Sequence, residues 1–249
     1  MNISGNTVLI TGGATGIGYA LAEAFLDAGN EVAICGRREE KLLEARKNHP
    51  DLHVTVCDVS DREGRKSLLE WVTGEFAGLN ILINNAGIQR SIDLTHGAED
   101  LPLDEIKINL EAPVYLSALF IPHLASKKEA ALINVSSGLA FVPRAKSPVY
   151  CATKAALHSF TLSLRHQLSG TGIKVFEAIP PKVDTDLNKN GRGIMRFPHR
   201  GIMPGEFAEA VMKGLQNDEP EIWHKASDNI RTGSKTDLER IFYHMNRQQ

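Results

Sequence analysis

The chain has 249 residues, 42% of them hydrophobic, and a formal net charge of −2 at pH 7. That length and apolar content can fill the core of one large α/β domain, and the near-neutral charge, without a long basic block, excludes a nucleic-acid or anionic-membrane surface as the main partner. A small molecule is expected instead, and three cysteines without metal-ligand spacing, Cys35, Cys57 and Cys151, fit a reducing cytoplasm.

In chain order, Thr7 to Ile10 is an apolar β-branched run, followed by Thr11-Gly12-Gly13-Ala14-Thr15-Gly16-Ile17-Gly18 and a helical period over Tyr19 to Ala28. A strand that enters a helix through glycines leaves a gap the size of a phosphate at the helix N-terminus, where free N–H groups point outward. Gly29-Asn30 stops that helix. Glu31 to Cys35, His53 to Cys57 and Leu79 to Ile83 read as further strands, with a helix at Glu39 to Lys47 and another, running to about Phe76, opened by a capping box at Ser60 and Glu63. Asn84-Asn85-Ala86-Gly87 closes the fourth strand, and Pro102 is placed at the first turn of a long helix to about Ala125. A fifth strand (Ala130 to Val135), a helix (Val149 to Leu168) and a sixth strand (Ile173 to Ile179) follow. Pro204 to Gln216 is a helix and Glu221 to Trp223 a short last strand. The alternation predicts a doubly wound parallel sheet in a single domain over 1–249, with a substrate lid near 182–203 and a C-terminal tail at 224–249. The richest apolar stretch, Ala112 to Ala125, contains two prolines and falls short of the roughly 18 apolar residues of a membrane span. The N-terminus shows no signal-peptide pattern.

Tyr150 and Lys154 are four residues apart at a helix start and share one face. An ammonium at about 4 Å in an effective dielectric near 20 would favour a phenolate by about 4 kcal/mol, enough to make the tyrosine a tuned acid/base. Ser136-Ser137 and Asn84 to Gly87 end neighbouring strands at the carboxyl edge, where open α/β sheets bind ligands. The nine histidines show no ligand spacing, so no metal is expected and each is read as a surface or packing residue.

Together the Thr11 to Gly18 turn, Asp58-Val59, Asn84 to Gly87, Asn109, Ser137, Tyr150 and Lys154 resemble the short-chain dehydrogenase/reductase family over roughly the first 185 residues. The resemblance implies a Rossmann-type fold and hydride transfer between a nicotinamide cofactor and a carbonyl or secondary alcohol. It implies Tyr150 as proton donor or acceptor, Ser137 on the substrate oxygen, Lys154 also on the nicotinamide ribose, and Asn109 positioning a water beside Lys154. The cofactor would be held by Thr11, Gly12, Thr15, Gly16, Ile17 and Gly18 at the phosphates, Asp58 and Val59 at the adenine, and Asn85, Ala86 and Gly87 on the ribose side. Val183 and Thr185 would meet the carboxamide, although Pro181 stands where the family commonly has glycine and removes a backbone donor.

At the end of the second strand the sequence reads Gly36-Arg37-Arg38, with no carboxylate for a ribose 2′-hydroxyl and arginines ready for a 2′-phosphate. NADP(H) is therefore preferred, with NAD(H) possible. The pocket is expected to be largely apolar, lined by Gln89, Leu139, Phe141, Val142, Leu187, Ile194, Met195 and Phe197, with Arg144 at its mouth for an anionic substrate end. Ala152, Ala156, Ser159 and Ser163 offer a small-residue face for a homodimer or homotetramer. Within the family, Ile81 to Arg90 and Phe242 to Asn246 resemble the DltE-type oxidoreductases, linked by name to teichoic acid D-alanylation. The alternatives to a carbonyl reductase are that association and a dinucleotide-binding sensor without turnover.

Overall fold

The structure, a computed structural model, describes residues 1–97, 102–185, 187 and 201–247. Seven strands, β1 (Thr7–Thr11), β2 (Glu31–Gly36), β3 (His53–Val56), β4 (Leu79–Asn84), β5 (Ala130–Val135), β6 (Ile173–Ile179) and β7 (Glu221–Trp223), form one parallel sheet in the order β3-β2-β1-β4-β5-β6-β7. The order reverses direction between β1 and β4, which opens a crevice at their carboxyl ends. β1, β4 and β5 are buried along nearly their whole length, which is why they read as apolar runs rather than alternating ones.

Helices α1 (Gly16–Asp27), α2 (Glu39–Asn48) and α7 (Pro204–Gln216) cover one face, packing Leu21, Phe25, Leu42, Phe207 and Leu215 on Ile10, Ile34 and Ile133. The other face carries α3 (Arg62–Glu75), α5 (Ala112–Leu124) and α6 (Pro148–Gln167), with Leu68, Leu116, Phe120 and Leu164 on Leu9, Leu82 and Leu132. A short α4 (Asp104–Ile106) runs into α5 through a π-helical stretch at Lys107–Glu111. The tail forms α8 (Asp228–Thr236) and α9 (Leu238–Arg247), whose Asn246 accepts from the Ala145 N–H at 2.6 Å and donates to the Pro143 carbonyl at 3.2 Å.

Two expected helix starts move. The cap of α3 is Asp61, which accepts from the Gly64 N–H at 2.7 Å, while the Ser60 hydroxyl donates to Asp58 at 2.7 Å, so the Ser60/Glu63 capping box does not form. Pro102 precedes the helix instead of opening it, because α4 starts at Asp104. The expected lid near 182–203, with Ile194, Met195 and Phe197, lies largely outside the described residues. Its two ends are tied together: Val183 bridges Ile202, and the Asp184 N–H donates to the Ile202 carbonyl at 2.9 Å.

Gly13, which the spacing argument passes over, is sterically required. A Cβ there would lie 2.6 Å from the Cβ of Ile34 and 3.1 Å from the Ile10 carbonyl, both in the packed centre of the sheet. Gly13→Ala is expected to cost about 1–3 kcal/mol, lowering Tm by several degrees in scanning calorimetry. An unchanged Tm would show that the β1–β2 layer can yield.

Candidate active site

The glycine turn is fixed from behind by β4. The Thr11 hydroxyl accepts from the N–H groups of Asn85 and Ala86 at 3.0 and 3.1 Å, and the Asn85 side-chain amide donates to the carbonyls of Thr11 and Gly12 at 2.9 and 3.1 Å. A side chain at Gly18 would run into the Gly12 carbonyl oxygen and the Asn85 amide, and one at Gly12 would lie 2.9 Å from Ala86 Cα. Only bare backbone fits there. Thr15 caps α1 without a side-chain hydrogen bond, and the first turn, which includes Ile17, carries no acid. Such a helix start leaves N–H groups and partial positive charge facing outward, which suits a diphosphate. A cleft of about 360 Å³ runs from Gly16 along Tyr19, Ala20 and Glu23 of α1, facing Asp184, Thr185 and Met203.

The loop after β2 comes over the same turn. Arg37 and Arg38 are exposed, and the Arg38 guanidinium donates to the Thr15 hydroxyl at 3.2 Å. Asp58 accepts from the N–H and hydroxyl of Ser60, and Val59 is buried, its carbonyl accepting from Arg65 at 2.8 Å. Val183 is buried, and Thr185 packs close to Gly16.

Tyr150, Lys154, Ser137 and Asn109 converge beside Gly87. Tyr150 and Lys154 are on the first turns of α6, which Pro148 opens. Lys154 donates from Nζ to the Val135 carbonyl at 2.8 Å, and a Cβ at Gly87 would lie 3.7 Å from that Nζ and 3.3 Å from Asn109 Oδ1. Tyr150 is hydrogen-bonded to Ser137, whose hydroxyl also accepts from the Leu139 N–H at 3.1 Å. Asn109, fully buried in the π-helical stretch, accepts from the Ile88 N–H at 2.9 Å and donates to the Ile88 carbonyl and to Thr153. It clamps the chain as it leaves β4.

The electrostatics differ from the expectation of a lowered phenol. Burial pushes the Tyr150 hydroxyl up to about 12, against the opposing hydrogen bond from Ser137. Lys154 Nζ lies 5.8 Å from the Tyr150 ring centroid, and burial pulls its own value down to about 8, with Glu177 opposing. Desolvation therefore outweighs the Ser137 hydrogen bond at the phenol.

Several groups escaped the sequence reading. Asn84 donates to Asn134 at 2.9 Å and Asn134 to Thr161 at 2.9 Å, a buried polar chain that ties β4, β5 and α6 beneath the site. Asn134 inside an apolar strand was the available signal. Glu105 is fully buried, accepts from the Arg90 N–H at 2.9 Å, and is shifted up by burial. Gln89, expected in the pocket, donates to Ser147 at 3.1 Å.

Residues 6–193 match the short chain dehydrogenase family. The chain belongs to that family. A relative from Bacillus subtilis, an uncharacterized oxidoreductase named DltE, is 49% identical, with all of both chains covered. An uncharacterized oxidoreductase of Staphylococcus saprophyticus is 29% identical over 87% of this chain and 93% of its own. Among solved structures, a short chain dehydrogenase from Burkholderia cenocepacia in complex with NADP superposes with a TM-score of 0.83 at 24% identity, covering 98% of this chain and 99% of its own. A short chain dehydrogenase/reductase from Burkholderia phymatum in complex with NAD gives 0.84 at 19%, covering 99% and 97%. At those identities the two structures establish the short-chain dehydrogenase fold.

A lysine held near 8 in the fold and near 10.4 when unfolded costs roughly 3 kcal/mol below pH 8, and the cost fades as pH rises toward 10.5. The stability of the wild type relative to Lys154→Met should therefore improve by up to that amount across this window in urea unfolding. A pH-independent difference would show that Lys154 is not held in a desolvated site.

Proposed function

We propose that the protein is an oxidoreductase that moves a hydride between a nicotinamide dinucleotide and a carbonyl or secondary alcohol, with NADP(H) preferred over NAD(H). The observation that carries this reading is the convergence of Tyr150, Ser137 and Lys154 beside Gly87, next to a glycine turn that leaves room only for backbone. The family match and the dinucleotides in the two Burkholderia relatives support it.

When bound, the dinucleotide supplies or accepts the hydride. The chain's own residues do the rest. Tyr150 stays a phenol at neutral pH, which makes it a proton donor to a carbonyl oxygen, and Ser137 holds that oxygen by a hydrogen bond. An NADPH pool would favour reduction, for which a phenol is the form that gives up the proton. Lys154, anchored on Val135, holds the ribose and keeps positive charge near the developing alkoxide, while Asn109 positions the Gly87-Ile88 wall. Thr11, Gly12, Thr15, Gly16, Ile17 and Gly18 hold the diphosphate, Asp58 and Val59 the adenine, Asn85, Ala86 and Gly87 the ribose side, and Val183 and Thr185 the carboxamide. Arg37 and Arg38 bind the 2′-phosphate, for which Arg38 is already drawn over Thr15.

The substrate class is an apolar carbonyl compound with an anionic end. The partly exposed Leu139 and Phe141 supply apolar surface, and Arg144 has a buried Nε without a hydrogen-bond partner. Assembly as a homodimer or homotetramer is supported by the exposed residues of α5 and α6, Tyr115 on the first and Ala152, Ser159 and Leu162 on the second. We place the protein in the cytoplasm; no helix among the described residues is long and apolar enough to cross a membrane.

NADPH and NADH oxidation should be followed against a panel of ketones and keto acids. Tyr150→Phe is expected to lower kcat by 10²-fold or more with unchanged folding. Arg37→Asp combined with Arg38→Ala should shift the NADPH-to-NADH ratio of kcat/KM by at least about tenfold toward NADH, the equivalent of about 1.4 kcal/mol. Arg144→Ala should raise KM for keto acids about tenfold while sparing uncharged ketones, the effect of losing one charge-assisted hydrogen bond. Tight dinucleotide binding with no turnover on any substrate would favour the sensor, and turnover retained in Tyr150→Phe would overturn the proton-donor assignment.

A further inference from the structure

One turn beyond Lys154 on α6, His158 faces the outer edge of the sheet. Glu177 on β6 and Glu221 on β7 are cross-strand partners, so both carboxylates leave the sheet on the face that α6 covers. His158 Nδ1 lies 2.7 Å from Glu177 Oε2, and one donor atom from each of His158, Glu177 and Glu221 lies within 4.8 Å of the other two. Glu177 is fully buried, yet its Oε1 has no hydrogen-bond partner. A buried carboxylate oxygen left unsatisfied is costly unless a cation meets it. Two positive side chains lie near: Arg165 spends Nε on the Val175 carbonyl at 2.9 Å and a terminal nitrogen on the Pro220 carbonyl at 2.7 Å, and Lys154, which feels the Glu177 charge, spends Nζ on the Val135 carbonyl at 2.8 Å.

We propose that His158, Glu177 and Glu221 bind one divalent transition-metal ion of the zinc type. One imidazole and two carboxylates are an ordinary donor set for zinc, with ligand bonds of about 2.0–2.2 Å and the fourth place left to water. Tetrahedral donors at those bond lengths stand roughly 3.4 Å apart. The present cluster needs only a modest contraction, which Glu221 can make because it is partly exposed on a strand of three residues. The ion would meet the orphaned Glu177 Oε1, which the His158 imidazole, bonded to Oε2 of the same carboxylate, leaves unpartnered. The Phe141 ring, 4.5 Å from the His158 imidazole, closes one side of the site, and the partial exposure of His158 and Glu221 provides the way in. Sequence spacing could not disclose this site, because its donors come from three separate elements.

Bound metal would clip α6, β6 and β7 together next to the catalytic lysine. Zinc chloride titrated by calorimetry into the metal-free full-length protein should bind at one equivalent, and free zinc at 100 times its Kd should raise Tm by roughly 5 °C. Cobalt chloride should give visible d–d bands of a low-coordinate site. His158→Gln and Glu221→Gln should each weaken zinc binding at least tenfold and remove the bands, with unchanged circular dichroism. If His158→Gln does not fold, Glu221→Gln with the wild-type stoichiometry decides the matter. No binding by the wild type, or equal binding by wild type and Glu221→Gln, would overturn the proposal. None of these readouts depends on turnover, so failure of the oxidoreductase reading would leave them interpretable.

Discussion

The structure depends on the knot where β1 meets β4. Four hydrogen bonds cross the reversal in strand order, from Asn85 and Ala86 to Thr11 and Gly12, and these join the glycine turn to the chain that leaves β4. Both turns lie on the carboxyl edge, and each is held in shape by the other. The crevice is therefore a property of two strands that are far apart in sequence. Sheet burial supplies the energy, while the knot supplies the alignment, since carbonyls satisfied by Asn85 cannot swing to solvent.

A second dependence runs through α6. Its first turns carry Tyr150 and Lys154, and its later turns carry Thr161, which ends the buried amide chain from Asn84 and Asn134. A polar chain in so apolar a layer specifies register, because slipping β5 against β4 by one residue would leave two amides unsatisfied. The register of α6 is thus set beneath the crevice. The desolvated Lys154 ammonium opposes folding at neutral pH and the surrounding core offsets that cost, whereas the buried Tyr150 phenol is neutral there and its raised value costs nothing below about pH 10.

The fold was largely legible from the sequence because its signals are local. Strands such as Leu79–Asn84 and Ala130–Val135 are continuous apolar runs bounded by turn residues, and the seventh strand, short as it is, was readable at Glu221–Trp223. The family match bears out the family read from the glycine turn and the later motifs. Local competition was harder to read. Ser60 sits three residues before Glu63 as a capping box requires, but Asp58 takes its hydroxyl and Asp61 does the capping. The protonation of Tyr150 was misjudged because spacing reports a neighbouring charge and says nothing of burial. Glu105 and the His158 cluster are invisible to spacing for the same reason: each acquires its meaning from strands or helices that sequence distance separates.

The bridge between Val183 and Ile202 has a consequence for chain length. With both ends fastened to one another at the foot of α7, the intervening stretch joins the domain as a closed loop whose length enters only logarithmically. Doubling it would cost about 0.6 kcal/mol in closure entropy. Variants of this chain that differ in the length between Val183 and Ile202 should therefore keep the sheet and the knot where β1 meets β4 intact.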